Sequence, residues 1–299
     1  MTCHSTLVTV TQLQQLMHSG QPLRVFDCSF DLSNASAGTD QFAQGHIPGA
    51  RHAHLDRDLS AHGAPDSAHP PASGGRHPLP AREDLVRWLA SHGVDNDTQV
   101  VVYDRQGQNY CGRLWWMLKW CGHAAVAVLD GGWQAWQAAG GACEVAPPTP
   151  VVPSTPSHFA LLPPLVELVT TTTVQQRLQQ PGQTLIDARA APRYRGEVEP
   201  LDPVAGHIPG ALNRPFALNL AADGRFKPAE QLRAEFLALL AGRDPATVVH
   251  HCGSGVSAVP NVLAMAVAGL GGQALYAGSW SEWCRTPGLP VATGDEPSS

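Results

Sequence analysis

At 299 residues, with a formal net charge of −6, 15% charged residues and 43% hydrophobic residues, the chain can supply two domains of about 150 residues, each with its own core. The mild acidity argues against a non-specific nucleic-acid binder, which needs basic surface against phosphates. No run of 18 apolar residues is present to span a membrane, and the first ten residues lack the layout of a secretory signal, so a cytoplasmic location is expected. In chain order, residues 23–26 form a short apolar run that ends on Asp27, and residues 100–103 read as a second strand. Trp133 and Trp136, three apart, read as the buried face of a short helix. In the second half, residues 184–186 predict a strand. Residues 228–240 have helix spacing, with Leu232, Phe236, Leu239 and Leu240 on one face. Residues 247–251 predict a strand, 259–268 a helix and 273–276 a strand. The alternation argues for α/β domains with mainly parallel sheets flanked by helices on both faces.

Four signals occur twice in the same order. Asp27-Cys28-Ser29 is echoed by Asp187-Ala188-Arg189, an offset of 160. Gly45-His46-Ile47-Pro48-Gly49-Ala50 recurs letter for letter from Gly206 to Ala211, an offset of 161. The runs beginning at Val100 and Val248 are 148 apart, and Gly131-Gly132-Trp133 and Gly278-Ser279-Trp280 are 147 apart. The drift fits one longer loop in the first half, over residues 56–80. Each copy is therefore a whole domain: residues 1–145, then a proline-rich linker at 146–163, then residues 164–299. Proline at that density continues neither a helix nor a central strand.

The segment from Val248 to Ala258 places Cys252 between a strand and a helix, in a loop with Gly253 and Gly255. Glycines permit positive φ, and successive N–H groups facing inward make a concavity for an anion. The helix adds the positive end of its dipole, Pro260 suits its first turn, and Ser254 and Ser257 offer hydroxyls. Such surroundings lower a thiol pKa and would hold a persulfide anion on Cys252, with Gly253, Ser254, Gly255, Val256 and Ser257 as the cradle. At the 148 offset the first copy carries Asp104, which is no sulfur nucleophile, so that domain is expected to be non-catalytic. The seven cysteines include no C-x-x-C pair, which removes sequence support for a zinc ribbon or a thioredoxin-type site.

Three other readings compete. Gly253-Ser254-Gly255-Val256-Ser257-Ala258 fits G-x-G-x-x-A, but no acidic residue follows at the spacing a dinucleotide fold requires. A cysteine phosphatase needs arginine six residues after the nucleophile, where Ala258 stands; no Lys or Arg occurs from residue 250 to 272, so a phosphate would meet only backbone donors. A non-enzymatic sulfur-binding or regulatory module would share most of the loop.

The doubled Gly-His-Ile-Pro-Gly-Ala layout, Arg113-Leu114-Trp115-Trp116-Met117, Asp130-Gly131-Gly132-Trp133 and the segment from Cys252 to Ala258 together resemble a tandem-domain rhodanese over nearly the whole chain. The loop resembles 3-mercaptopyruvate sulfurtransferases more than thiosulfate sulfurtransferases, which carry basic residues where Gly253 and Ser254 stand. The resemblance implies a sulfurtransferase without metal or organic cofactor. Cys252 would carry persulfide between a small anionic donor and a thiol or cyanide, with a thioredoxin-like reductant as a further partner. It also implies substrate-site roles for three residues. Arg193 would meet the substrate carboxylate, His46 would orient Ser254, and Tyr110 would lie at the domain interface. The mercaptopyruvate enzymes usually carry a second arginine shortly after the first; residues 197–202 contain none. His46 and His207, in identical turns, also suit a shared structural role.

Overall fold

The computed structural model describes residues 3–63, 69–145, 157–271 and 274–295. The chain divides into two compact units, each with one all-parallel, five-stranded sheet among the described residues. The first unit runs β1 (Leu7–Val8), α1 (Val10–His18), β2 (Leu23–Asp27), α2 (Ala37–Gln44), β3 (Arg51–His52), α3 (Arg82–Ser91), β4 (Gln99–Tyr103), α4 (Cys111–Trp120), β5 (Val126–Leu129) and α5 (Gly132–Ala138). Its strand order is β1-β5-β4-β2-β3. The second unit repeats the plan with β6 (Glu167–Leu168), α6 (Thr171–Gln176), β7 (Thr184–Asp187), α7 (Ala191–Tyr194), β8 (Leu212–Asn213), α8 (Ala229–Leu240), β9 (Val248–His251), α9 (Val259–Val267), β10 (Ala274–Leu275) and α10 (Ser279–Trp283). Its order, β6-β10-β9-β7-β8, matches the first strand for strand. Two tandem domains of one α/β fold result, as the duplication implied.

The central strands, β4 and β9, are wholly buried, as expected for parallel strands covered on both faces. The period-2 pleat divides β4 between two layers. Val101 and Tyr103 join the core formed with Val10, Leu13 and Leu16 of α1, Phe42 of α2 and Trp133 and Trp136 of α5. In α8, Pro228 precedes the first turn, and Leu232, Phe236 and Leu240 recur every fourth residue as its buried face; Leu239 is only half-buried. The Trp pairs at 133/136 and 280/283 are core residues. No helix among the described residues is long and apolar enough to cross a membrane.

The division of the chain is not linear. The first unit comprises Met1–Ala72, Leu79–Leu165 and Ala222–Phe226; the second comprises Ser73–Pro78, Val166–Ala221 and Lys227–Ser299. Of the expected linker, residues 146–156 lie outside the described residues, as does Gln273 of the last expected strand. The short stretch Ser73–Pro78 matters most below, because it brings residues from the first half of the sequence into the second unit.

Each Gly-His-Ile-Pro-Gly-Ala segment is a tight turn that feeds a strand. Ala50 N–H donates to the Ile47 carbonyl at 2.9 Å and Ala211 N–H to the Ile208 carbonyl at 3.1 Å, with Gly49 and Gly210 at φ +75° and +79°. A type II turn requires that conformation at its third residue. A Cβ on Gly49 would meet nothing within 4 Å, so only the backbone conformation opposes a side chain there. Gly49→Ala is expected to cost about 1 kcal/mol, read as a lower midpoint in urea or thermal unfolding with an unchanged far-UV spectrum.

Candidate active site

Cys252 directly follows β9 and is 2% exposed. It lies at the carboxyl end of the central strand, where the sheet order reverses between β9 and β7 and where open parallel sheets bind their ligands. Residues 253–258 then turn into α9, with Pro260 in its first turn. Gly255 makes that turn possible: its φ is +73°, and a Cβ there would lie 2.3 Å from the Ala277 carbonyl oxygen.

The loop entering α10 pins the cysteine backbone. Cys252 N–H donates to Ser279 Oγ at 3.1 Å, and that hydroxyl donates to the Tyr276 carbonyl at 2.9 Å. Trp280 N–H donates to the Cys252 carbonyl at 3.0 Å. Ser279 is fully buried at φ +55°, a left-handed conformation that is costly for a residue with a Cβ and tends to collect at functional sites. The first unit places Gly132 at the same point with φ +56°, and Trp133 N–H bonds the Asp104 carbonyl at 3.1 Å.

Among the described residues, the amides of Gly253, Ser254, Val256, Ser257 and Ala258 donate to no acceptor of the protein. The first copy shows what such a loop holds. Gly107, with φ +70°, answers Gly255. Around it the Asp104 carboxylate accepts N–H groups from Gln106 (2.9 Å), Gln108 (2.8 Å), Tyr110 (2.8 Å) and Cys111 (2.9 Å). At the 148 offset these are the positions of Ser254, Val256, Ala258 and Val259, of which Val259 N–H is already bonded to the Val256 carbonyl. Burial pushes the Asp104 carboxyl up from its ordinary value, and the four amides work against that shift.

A chain of ion pairs lies beside the Cys252 loop. Asp187, at the end of β7, binds Arg189 at 2.6 Å; Arg189 reaches Glu199 at 3.4 Å; Glu199 binds Arg193 at 2.6 Å. Arg193 lies 3.7 Å from Asp202, which also binds Arg76 at 2.7 Å and Arg285 at 3.1 Å. Burial works against the Arg189 charge, but the Asp187 and Glu199 carboxylates and the Cys252 sulfur raise its pKa. Burial also opposes the Glu199 charge, yet its bonds from Arg193 and from the Leu201 and Asp202 amides hold its carboxyl below the usual range. A Cβ built on Gly253 would lie 3.1 Å from Arg76 Nη2 and 3.5 Å from Arg193 Nη1. Two guanidinium groups therefore border the residue next to Cys252. A bound anion would meet more than backbone donors, contrary to the expectation drawn from the absence of basic residues at 250–272.

The histidine on Ser254 is His77, with Nδ1 2.7 Å from the serine oxygen and both residues buried. This corrects the assignment of that role to His46. His46 belongs to the first unit, where its Nδ1–H donates to the Phe42 carbonyl at 2.9 Å and its ring stacks on Phe42 at 3.8 Å. His207 does the same with Tyr194, at 2.8 Å and 3.8 Å. The shared turn thus gives the two histidines one structural role. Tyr110 also belongs to the first unit, where its amide serves Asp104 and its ring packs edge-on against Phe30; burial pushes its hydroxyl up to about 12. Arg76 and His77 escaped the sequence reading because they lie in the one long stretch without a counterpart in the other copy. Their only signal was the offset drift that located the extra loop.

The family model of the rhodanese-like domain matches residues 9–139 and 170–286. The chain belongs to the rhodanese-like sulfurtransferases. This rhodanese-like chain is 47% identical to a Pseudomonas aeruginosa protein named "Probable 3-mercaptopyruvate sulfurtransferase", covering 97% of this chain and 98% of that one. It is 32% identical to the thiosulfate sulfurtransferase of Mus musculus, covering 94% and 93%. Among solved structures it resembles the 3-mercaptopyruvate sulfurtransferase of Leishmania major, with a TM-score of 0.75 and 29% identity, over 95% of this chain and 76% of that one.

Two outcomes follow for the loop and its strand. Gly255→Ala combines a forbidden φ with a collision against Ala277, so a loss of about 3 kcal/mol is expected in the unfolding midpoint, together with loss of sulfur transfer. His251, fully buried at the end of β9, is held down to about 4 from 6.5, chiefly by burial, with the Asp187 carboxylate opposing. Because its folded pKa lies below the unfolded one, the unfolded chain binds the proton first as pH falls through 6.5. The corresponding stability is fully present above pH 6.5 and is lost toward pH 4, by about 3 kcal/mol. Thermal melts across that window should show a steep fall for the native protein and a shallower one for His251→Gln.

Proposed function

We propose that the protein moves sulfane sulfur from 3-mercaptopyruvate or thiosulfate to a thiol or cyanide through a persulfide on Cys252. One observation carries this reading. Cys252 occupies the position at which the first copy's loop amides hold a carboxylate, and in the second copy those amides are largely uncommitted. An anionic sulfur at that point would receive the same electrostatic stabilisation.

With thiosulfate, the Cys252 thiolate attacks the outer sulfur, an S–S bond forms, and the old S–S bond breaks to release sulfite with its electron pair. With mercaptopyruvate, the thiolate attacks the thiol sulfur and the C–S bond breaks. Its electron pair passes to carbon as the enolate of pyruvate, and the proton from the donor's thiol ends on that carbon. The Ser254 hydroxyl, 2.7 Å from His77 Nδ1, offers a route for this proton. In the second half-reaction cyanide or a thiolate attacks the outer sulfur of Cys252–S–S⁻, which returns the free thiolate and gives thiocyanate or a new persulfide. A thioredoxin-like dithiol fits the same acceptor chemistry. The two halves predict ping-pong kinetics.

In this scheme the first unit is a non-catalytic copy, since Asp104 fills its cradle permanently. Cys252→Ser is expected to abolish transfer to cyanide with either donor. Intact-mass measurement of the native protein after donor treatment should show one adduct of about 32 Da, one sulfur atom, on the peptide that contains Cys252. Turnover that survives the substitution, or an adduct on another cysteine, removes the assignment.

A further inference from the structure

We propose that Arg24, Arg51 and Trp88 form a binding site for a phosphate group, on the face of the first unit's sheet that α3 and the turn after it cover.

β2 and β3 pair in parallel with Phe26 opposite Arg51, and residues two apart on a strand share a face. Arg24, Phe26 and Arg51 therefore lie on one side of the sheet, at its edge strand β3. The end of α3 closes over them. The Trp88 ring packs 5.5 Å from Phe26, and the His92 ring lies 6.1 Å from Phe26 and 4.2 Å from Trp88. Gly93, at φ +75°, turns the chain there, and a Cβ on it would lie 2.8 Å from Arg24 Nη2. Two half-buried arginines and an indole thus share one corner of the unit.

That corner gathers donors without acceptors. Arg24 Nη1 donates to the Leu23 carbonyl at 2.9 Å. Arg24 Nε, Arg51 Nη1 and Trp88 Nε1 are buried and meet no acceptor of the protein among the described residues. Arg105, Arg189 and Arg214 each bind a carboxylate, at 2.6, 2.6 and 2.8 Å; Arg24 and Arg51 form no ion pair among the described residues. The carbonyls that end α3 are already used. Trp88 O accepts the His92 N–H, the His92 ring and the Ser91 hydroxyl; Leu89 O accepts the His92 and Val94 N–H groups, and Ala90 O that of Gly93. Asp58, whose charge acts on His92, accepts the His54 N–H at 2.7 Å. Burial and the Arg24 charge push the Arg51 guanidinium down from its ordinary value.

Buried donors and like charges left unpaired are costly, and an anion relieves both. Guanidinium groups match phosphate oxygens in bidentate fashion. A phosphate monoester carries a charge of about −1.5 to −2 at pH 7, close to the charge of the two arginines. Its several oxygens can serve donors on three separate side chains, which the two oxygens of a flat carboxylate cannot do as well.

The test uses the full-length protein in chloride and in inorganic phosphate at equal ionic strength. Arg51→Met keeps the apolar stem and removes the charge and the donors. In chloride it should melt at or above the native temperature, since a like-charge contact and an unpaired donor are gone. In phosphate the native protein should gain about 2 to 4 °C, and Arg51→Met and Arg24→Met should lose that gain. Calorimetric titration should show phosphate affinity falling about 10-fold or more in each variant. The arginines beside Cys252 can take an anion as well, so the site is read as the difference between native and variant. Glycerol 3-phosphate that binds this site more tightly than inorganic phosphate assigns it to a phosphate ester, and weaker binding assigns it to the free ion. A gain from phosphate that survives in both variants, or equal losses of stability in the two buffers, overturns the inference.

Discussion

A turn of main-chain amides at the end of a buried parallel strand needs acceptors for its N–H groups, and an anion is the strongest acceptor it can take. Both copies of the fold build that turn in the same way, with a positive-φ glycine at 107 and 255 and a helix beginning at 111 and 259. In the first copy a carboxylate from the chain itself fills it. Asp104 accepts four amides at 2.8–2.9 Å and is wholly buried. In the second copy the corresponding side chain is a thiol. A neutral thiol satisfies such a cradle poorly, and an ionised sulfur satisfies it well. The proposed chemistry puts an anionic sulfur at that same position, first as thiolate and then as persulfide.

The copies differ in a second, linked way. In the first, Arg105 leaves the loop after β4, binds Asp27 at 2.6 Å and Ser29 Oγ at 2.9 Å, donates to the Gly45 carbonyl, and lies over the Trp133 ring at 4.7 Å. In the second, Arg189 binds Asp187 at 2.6 Å, donates to the Gly206 carbonyl at 2.7 Å, and lies over Trp280 at 4.9 Å. One guanidinium site is filled from two different sequence positions. At the repeat offsets Arg189 stands where the first copy has Ser29, and Gly253 stands where it has Arg105. Supplying the structural arginine from position 189 leaves position 253 free to be glycine, and that glycine borders the cysteine. The space beside Cys252, with Arg76 and Arg193 around it, exists because the buried ion pair no longer needs a side chain from the loop.

These differences mark the limit of what the sequence discloses. The letter-for-letter repeat of Gly-His-Ile-Pro-Gly-Ala and the regular offsets made the doubled α/β fold legible, because they encode backbone turns and core positions that any copy must keep. Cys252 and its glycines were legible for the same reason, since a turn between strand and helix has a local signature. The remainder of the site is non-local. Ser279 looks like an ordinary helix residue until its backbone conformation and its bond to the Cys252 amide are known. Arg76 and His77 sit in a polar loop present in only one copy, so neither periodicity nor internal comparison weights them. His46 drew attention because its turn is repeated, but repetition in both copies signals a scaffold function, and its stacking on Phe42 bears that out.

The ion network beside the Cys252 loop holds three buried carboxylates among four arginines. Burying charge is costly, and replacing a buried pair with apolar groups is often neutral or stabilising, so Asp187, Glu199 and Asp202 are poor candidates for a purely stabilising role. Their positions suit orientation better. A free arginine side chain carries about 2 kcal/mol of rotamer entropy, and a ligand that immobilises two of them loses that much affinity for each. Glu199 and Asp202 fix Arg193 and Arg76 in the folded chain, so the cost of ordering both side chains falls on folding. The cost to the fold is the desolvation of the carboxylates, and it is kept small by the way each is shared. Asp202 faces three arginines and Glu199 two, with the Leu201 and Asp202 amides completing the latter's coordination. An array of alternating charges is thus held in place by its own members.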